Sequence, residues 1–372
     1  MTQPALERFA ATAEIVTDRA TWGSLRGEWN RLAARSPVDC PMLRHEWFSA
    51  FLDAFAPDES LHVVIIRREG VLIAAAALVR RLARWHGFQH VALTALANPH
   101  SARFDVLADG PDALRSLWRA LRACRGWDTI ELRDVPDGGA GAGLAELASL
   151  DGHATDSWES MQTPYILLDR DQISSKFAQN LRRRRRRLEE IGQVDVQEVT
   201  GGPEVDAFLE RGLALEAAGW KGRERTAIAC RATTRAFYRS VAREAEAAGG
   251  LAFYGLTCGR RLVAFHFGLR HGGRYLLPKP AYDESLGACS PGQLLMAEVV
   301  SRSRASGLVE LDFLGPAMPW KLDWTPRVRR HHWHWIYAPT LRGRALWLAR
   351  AAAAKPLKRW AAGAVTRVPW RR

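Results

Sequence analysis

The chain has 372 residues, too many for one ordinary core and enough for two domains. Its 47% hydrophobic and 25% charged content is that of a folded globular protein. The net charge of +13 sits mainly in two patches, a run of six arginines at Arg182–Arg187 and a tail, Leu341–Arg372, with nine Lys or Arg and no acid.

Five cysteines are widely spaced, odd in number and never in a Cys-x-x-Cys pair. That argues against a disulfide scaffold or a zinc ribbon and favours a reducing compartment. Met1–Val16 carries Glu7 and Glu14 and no long apolar run, so it does not read as a secretory signal. The most apolar window, Val71–Val79, falls far short of the ~20 residues of a membrane-spanning helix and reads as a buried strand. A cytoplasmic protein is the expectation.

In chain order, Trp22–Leu32 reads as a helix, with Leu25, Trp29 and Leu32 at helical spacing. Pro41–Phe55 reads as a second, aromatic-rich helix. Leu61–Ile66 and Val71–Val79 read as a hairpin around Glu69-Gly70. Strands are expected at Phe88–Leu96, Phe104–Leu107 and Thr129–Val135. Pro111 starts a helix between them that carries Leu114, Leu117, Trp118 and Leu121 on one face. A short helix, Leu144–Leu150, and a short strand, Tyr165–Leu168, follow. Ile173–Ile191 reads as a basic helix with Phe177, Leu181, Leu188 and Ile191 on its buried face. Its six arginines form either a solvated face or an anion site. Helices are expected at Glu204–Glu216 and Thr234–Ala248.

The second half then repeats the order of the first. Leu251–Thr257 and Leu262–Leu269 parallel the hairpin Leu61–Leu78. The Pro291 helix parallels the Pro111 helix, and Val309-Glu-Leu311 parallels Ile130-Glu-Leu132. Two copies of one α/β fold are the simplest account. The third strand of the second copy, Arg274–Lys279, leads through Ala281-Tyr-Asp283 to Ser290-Pro-Gly-Gln293, which opens the helical run Leu294–Ser303. Ser290 suits the N-cap, Pro291 the first helical position, and Gly292 a close ligand approach. Free N–H groups there would face an anion. Lys321 follows the strand Val309–Leu314. The first copy has no equivalent of Trp320-Lys321, so it is expected to be structural or substrate-binding.

The ordered set Gly259, Ala281-Tyr-Asp283, Ser290-Pro-Gly292, Leu311-Asp-Phe313 and Trp320-Lys321 resembles the diverged branch of the GNAT acyltransferase superfamily. That branch holds the CelD-like proteins of polysaccharide-biosynthesis loci and is related to Fem-type aminoacyltransferases. Asn180-Leu-Arg182 and Trp220-Lys221-Gly222 also resemble recurring elements of the family. The resemblance is good over residues 170–340 and weaker over 15–170. It implies two tandem GNAT-like α/β units with mixed central sheets flanked by helices: a degenerate one at 1–168, and a cofactor-binding one at 169–340, followed by the basic tail 341–372. It further implies acetyl-CoA or another acyl-CoA as co-substrate. The thioester arm would enter where Arg274–Lys279 and Val309–Leu314 splay apart, and Pro278 suits an unpaired part of a strand. The pyrophosphate would lie on Ser290, Pro291, Gly292, Gln293 and Leu294, although the superfamily's usual Gln/Arg-x-x-Gly-x-Gly/Ala signature is replaced by Ser290-Pro-Gly292.

Acyl transfer to an amine needs a base and a group that stabilises charge on the carbonyl. Asp312 and His266 are the candidate bases, Asp312 because burial within an apolar strand would raise its pKa toward neutrality. Each also has a structural reading. Lys321 would bind an anion or stabilise the reacting carbonyl. Trp220, Lys221, Lys279, Tyr282, Asp283 and Trp320 are the candidate substrate contacts. No metal is expected: His331, His332 and His334 have no adjacent carboxylate or cysteine, and only the latter two share a strand face. The acceptor would be an amine on a small molecule, a sugar or a cell-envelope precursor. The alternatives are a Fem-like aminoacyltransferase using charged tRNA, with nucleic acid a partner only in that case, and a non-catalytic scaffold of a polysaccharide-synthesis complex. In the tail, Ala345, Leu346, Leu348 and Ala349 could form an apolar helix face edged by Trp347 and Trp360. Such a helix would contact the inner face of an anionic membrane or dock on its own domain.

Overall fold

A computed structural model describes residues 11–57 and 60–364, with the side chains of 353–364 excepted. The expectations for Met1–Ala10, for Trp360 and for the end of the basic tail therefore lie outside the described residues.

The first unit starts with strand β1 (Thr12–Val16) and helices α1 (Arg19–Ser24), α2 (Arg26–Ala33) and α3 (His45–Phe55). Strands β2 (Ser60–Arg68), β3 (Val71–Trp85), β4 (Phe88–Ala95) and β5 (Leu107–Ala108) follow, then α4 (Pro111–Ala123), β6 (Thr129–Pro136), α5 (Ala140–Leu150) and β7 (Thr155–Leu167). The second unit runs α6 (Ser175–Glu189), β8 (Val194–Val199), α7 (Val205–Ala218), α8 (Trp220–Arg223), α9 (Ala232–Ala247), β9 (Phe253–Cys258), β10 (Arg261–His271), β11 (Arg274–Tyr282), α10 (Pro291–Ala305), β12 (Glu310–Asp312), α11 (Pro319–Leu322) and β13 (Val328–Tyr337). Helix α12 (Leu341–Ala364) closes the described chain.

Most elements lie where period and turn residues place them. The helix expected at Trp22–Leu32 breaks in two at Leu25, and β5 is shorter than the expected Phe104–Leu107. The short strand expected at Tyr165–Leu168 is instead 13 residues long and begins at Thr155.

The sheet order is β1-β2-β3-β4-β6-β13-β7-β12-β11-β10-β9-β8, with β5 paired to β3. It reads the same from both ends. Four antiparallel strands lead to a parallel pair, β4 with β6 and β11 with β12, and each pair is followed by an antiparallel strand. Those last strands are exchanged between the units. Strand β7 ends the first unit in sequence but pairs with β12, at Tyr165–Leu167, and β13 ends the second but pairs with β6. The two pair with each other along Val328–Ile336, joining the half-sheets. The duplicated α/β order expected from the sequence is thus the observed architecture.

One core runs through the first unit and continues beneath α7 and α9. A second fills the space between the other face of the second half-sheet and α6 and α10. The units meet through α3 and α9, where Phe237 packs at 5.2 Å from both Trp47 and Phe55. Arg26 also bonds Glu244 at 2.7 Å across this contact.

The exchange has a measurable consequence. Residues 1–168 and 169–372 produced separately each carry a strand that belongs against the other's sheet, and each exposes a long unpaired edge. Neither half alone is expected to show a cooperative urea transition by tryptophan fluorescence. A sharp, reversible transition in either isolated half would contradict the exchanged pairing.

Candidate active site

Strands β11 and β12 pair in parallel only at Arg274–Leu276 with Glu310–Asp312. Beyond that point β12 stops, and the chain turns away through Leu314 and Gly315, both at positive φ. Strand β11 continues to Tyr282, paired on its other side to β10, with a bulge opposite Gly268. A one-sided gap therefore opens between Leu277–Tyr282 and the Leu314–Lys321 turn, where the splayed strands were expected.

On one face of this gap stands the start of α10. Pro291 occupies the first helical position as expected. Ser290 does not cap the helix. Its backbone is left-handed (φ 49°, ψ 57°) and its hydroxyl donates to Gly287 O at 3.2 Å, away from the helix. The N–H groups of Ser290, Gln293 and Leu294 are already engaged, the first with Gly287 O and the others with Ser290 O. Gly292 N–H has no such backbone partner, and a Cβ at Gly292 would sit 3.4–3.5 Å from Tyr282. Of the expected phosphate cradle, Gly292 is the part left open. Leu294 is buried core. Gln293 is a brace: its amide donates to Trp320 O at 3.3 Å and accepts from Trp324 Nε1 at 2.6 Å, tying α10 to the Trp320–Trp324 turn.

Asp312 is fully buried at the last rung of the parallel pair. It forms ion pairs with Arg103, from the first unit, and with Arg329 at 2.7 Å, and it accepts from Leu314 N–H at 2.9 Å. Burial pushes its carboxyl up, but the two guanidiniums and the backbone donor outweigh burial and hold it below the ordinary carboxylate range. The expected upward shift does not occur. Asp312 is a latch between the units and a poor base.

His266 is buried too, and burial pushes its imidazole down to about 3. So weak a base does not take a proton from an ammonium near neutrality, and its Nδ1 has no hydrogen-bond partner among the described residues. Neither residue is therefore suited to the base role that the sequence suggested.

Lys321 lies on α11, in the turn that follows β12. It is buried and donates to Leu314 O at 2.5 Å and Pro316 O at 3.0 Å, so it shapes the turn that follows β12. Burial, opposed by nearby Asp312 and aided by Lys221, lowers its ammonium to about 8. Trp320 is half-buried, edge-on to Phe313 at 5.6 Å.

On the other face, Lys279 lies opposite Phe267 in the β10–β11 ladder, with its ammonium 5.8 Å from the Tyr238 ring centre. Lys221 bonds Glu216 at 2.8 Å and Pro280 O at 3.1 Å. The tight turn carrying it requires glycine, since a Cβ at Gly222 would meet Ala217 O at 1.7 Å. Trp220 is exposed and its N–H donates to Glu284 at 2.6 Å. Tyr282 is exposed beside Gly292. Asp283 is spent on structure: it accepts from Ser285 N at 3.0 Å and Oγ at 2.7 Å and pairs with Arg261. Among the described residues, no group of three His, Cys, Asp or Glu could hold a metal ion.

Sequence reasoning missed Glu216, Arg103, Arg329, His100 and Tyr238 as members of this site. A signal existed for Glu216. It continues the buried stripe of α7 through Val205, Phe208, Leu209, Gly212 and Leu213, an acid at helical spacing on a core face. Arg103 carries no local signal.

Residues 175–322 match the model of the acetyltransferase (GNAT) domain, which falls on the second unit and contains the whole gap. No curated protein matches the sequence. Among solved structures, the fold is similar to FemX over 86% of this chain and 96% of that one, with TM-score 0.56 and 9% identity. The C-terminal domain of a putative lysylphosphatidylglycerol synthetase from Agrobacterium fabrum is similar over 87% and 95%, with TM-score 0.55 and 12% identity. A conserved protein of unknown function from Bacteroides thetaiotaomicron matches over 88% and 100%, with TM-score 0.53 and 13% identity. At these identities the likeness is one of fold, and it spans both units. The match of residues 175–322 to a GNAT acetyltransferase domain marks the chain as an N-acyltransferase enzyme, and that domain lies within a duplicated α/β fold.

Proposed function

We propose that the protein transfers an acyl group, acetyl in the simplest case, from an acyl-coenzyme A thioester to an amine on a sugar or other cell-envelope precursor. The carrying observation is the gap itself. A parallel pair ends at Leu276 and Asp312, and one strand runs on beside a helix start with an open glycine N–H. The thioester arm would lie along Leu277–Tyr282, where backbone groups facing the gap lack a strand partner. Gly292 and its neighbours would receive the pyrophosphate at the positive end of α10. Lys321 would stand beside the carbonyl and stabilise the charge that develops on it. With Asp312 and His266 poorly suited as bases, the acceptor amine would lose its proton to water or to a group of its own.

A second reading keeps the transferase chemistry and changes the donor to aminoacyl-tRNA. The exposed arginines of α6 favour it, as does the likeness to FemX and to a putative lysylphosphatidylglycerol synthetase domain across both units. The setting in polysaccharide synthesis, and a location in the cytoplasm or on its membrane face, belong to the same proposal. Among the described residues no helix is long and apolar enough to cross a membrane.

Calorimetric titration with acetyl-coenzyme A and longer thioesters, at low and moderate salt, tests the donor. One-site binding that survives moderate salt is the expected outcome. Binding that vanishes with salt, together with saturable binding of charged tRNA, would move the assignment to the second reading.

A further inference from the structure

The face of the gap away from α10 carries an excess of positive charge that the donor assignment does not use. Lys279 and Tyr282 are three residues apart on an extended strand, so their side chains leave opposite faces. Tyr282 packs on the Gly292 side. Lys279 lies on the side of α9, over Tyr238, in the angle between the two units.

Around Lys279 the charges do not balance. Lys221 is close enough to repel it, and so is Arg231 with respect to His100, whose Nδ1 lies 3.3 Å from the Tyr238 hydroxyl. Among the described residues Glu216 is the acid that acts on Lys279, and it is committed to Lys221 at 2.8 Å and to Ile228 N–H at 2.9 Å. No carboxylate among the described residues pairs with the Lys279 ammonium. Burial, with Lys221 adding to it and Glu216 opposing, lowers that ammonium to about 8. Burial, with Lys279 and Arg231 adding to it, brings His100 to about 4, so the imidazole is neutral and adds no charge at pH 7. A half-buried ammonium without an acid is costly unless something anionic joins it. The first unit contributes His100 to this recess, from the loop between β4 and β5.

We infer that the acceptor of the acyl transfer carries an anionic group, a carboxylate or a phosphate, and that Lys279 and Lys221 hold it in this recess. The inference rests on the acyl-transfer reading for the word acceptor. The recess as an anion site does not. It lies across the sheet from the α10 start, so the donor's phosphates and the acceptor's anion occupy separate places. Anchoring the acceptor there would set its amine toward the gap, beside Lys321. Charge-assisted hydrogen bonds of this kind orient as well as attract.

The test uses the full-length protein and an amine-reactive acetylating reagent, with labelling of each lysine read by peptide mass spectrometry. Inorganic phosphate, acetate and coenzyme A are compared with chloride at matched ionic strength. Lys176, exposed on α6, is the internal control. Phosphate or acetate is expected to slow labelling of Lys279 by about fivefold or more while leaving Lys176 unchanged, as a specific charge-assisted contact requires. The more protective of the two names the anion class. In Lys279→Met, protection of Lys221 should be lost while the circular dichroism spectrum is unchanged. If neither anion protects Lys279 beyond Lys176, the inference fails. It fails equally if coenzyme A protects Lys279 better than either small anion, because the recess would then belong to the donor. Donor calorimetry decides the acyl-transfer reading separately.

Discussion

Asp312→Asn is expected to destabilise the protein by about 3–5 kcal/mol, the cost of leaving a buried charge without its partner. Arg103 is 3% exposed, and Asp312 is its only carboxylate partner among the described residues. Arg329 keeps Glu310 at 3.1 Å and loses less. The substitution also unlatches the units, because Arg103 comes from the first and Asp312 ends the parallel pair of the second. Because the folded carboxyl lies below its ordinary 3.8, its stabilisation is fully present above that value. It is lost as the pH falls through the folded value. Urea unfolding of wild type and variant at pH 7 and at pH 4–5 measures both effects. The difference between the two proteins should stay nearly constant over that interval. A variant of unchanged stability whose turnover alone collapses would restore Asp312 as the base.

Gly292→Glu is expected to remove donor binding and spare the fold. The new side chain has room, since its Cβ would make ordinary contact with Tyr282 at 3.4–3.5 Å. A carboxylate in the first turn also suits the positive end of a helix, so α10 itself should not weaken. The same carboxylate fills the place left open at the helix start and repels a pyrophosphate. An affinity loss of about a hundredfold or more is expected, at about 1.4 kcal/mol for each tenfold step. Isothermal titration with acetyl-coenzyme A gives the affinity, and thermal unfolding checks the fold. Normal affinity in a folded variant would displace the phosphate site from α10.

The elements that the sequence by itself determined are those whose signals are local. Strands β9 and β10 were legible because two apolar runs, Leu251–Thr257 and Leu262–Leu269, flank a turn at Gly259, which is at positive φ. Helix α10 was legible because Pro291 is tolerated at a first helical position and an apolar period follows it. The repeat was legible because strand and helix signals recur in the same order in both halves. Gly292 and Lys321 were singled out by the order in which they follow their strands.

Tertiary structure alone decided the rest. Strands β1 and β8 went unread because they are short edge strands with largely polar or exposed residues. The front of β7, with Trp158, Glu159 and Gln162, shows no apolar face, since its partners are β13 and solvent rather than a core. No window of sequence reveals that β7 and β13 change places, because pairing across the units is a contact between residues far apart in the chain. The state of Asp312 was misjudged for the same reason. Burial is readable from its apolar neighbours, but the charge that overrides burial arrives from Arg103, 209 residues away. The recess was hidden likewise: Lys221 and Lys279 were each singled out in sequence, but only folding brings them together near Glu216.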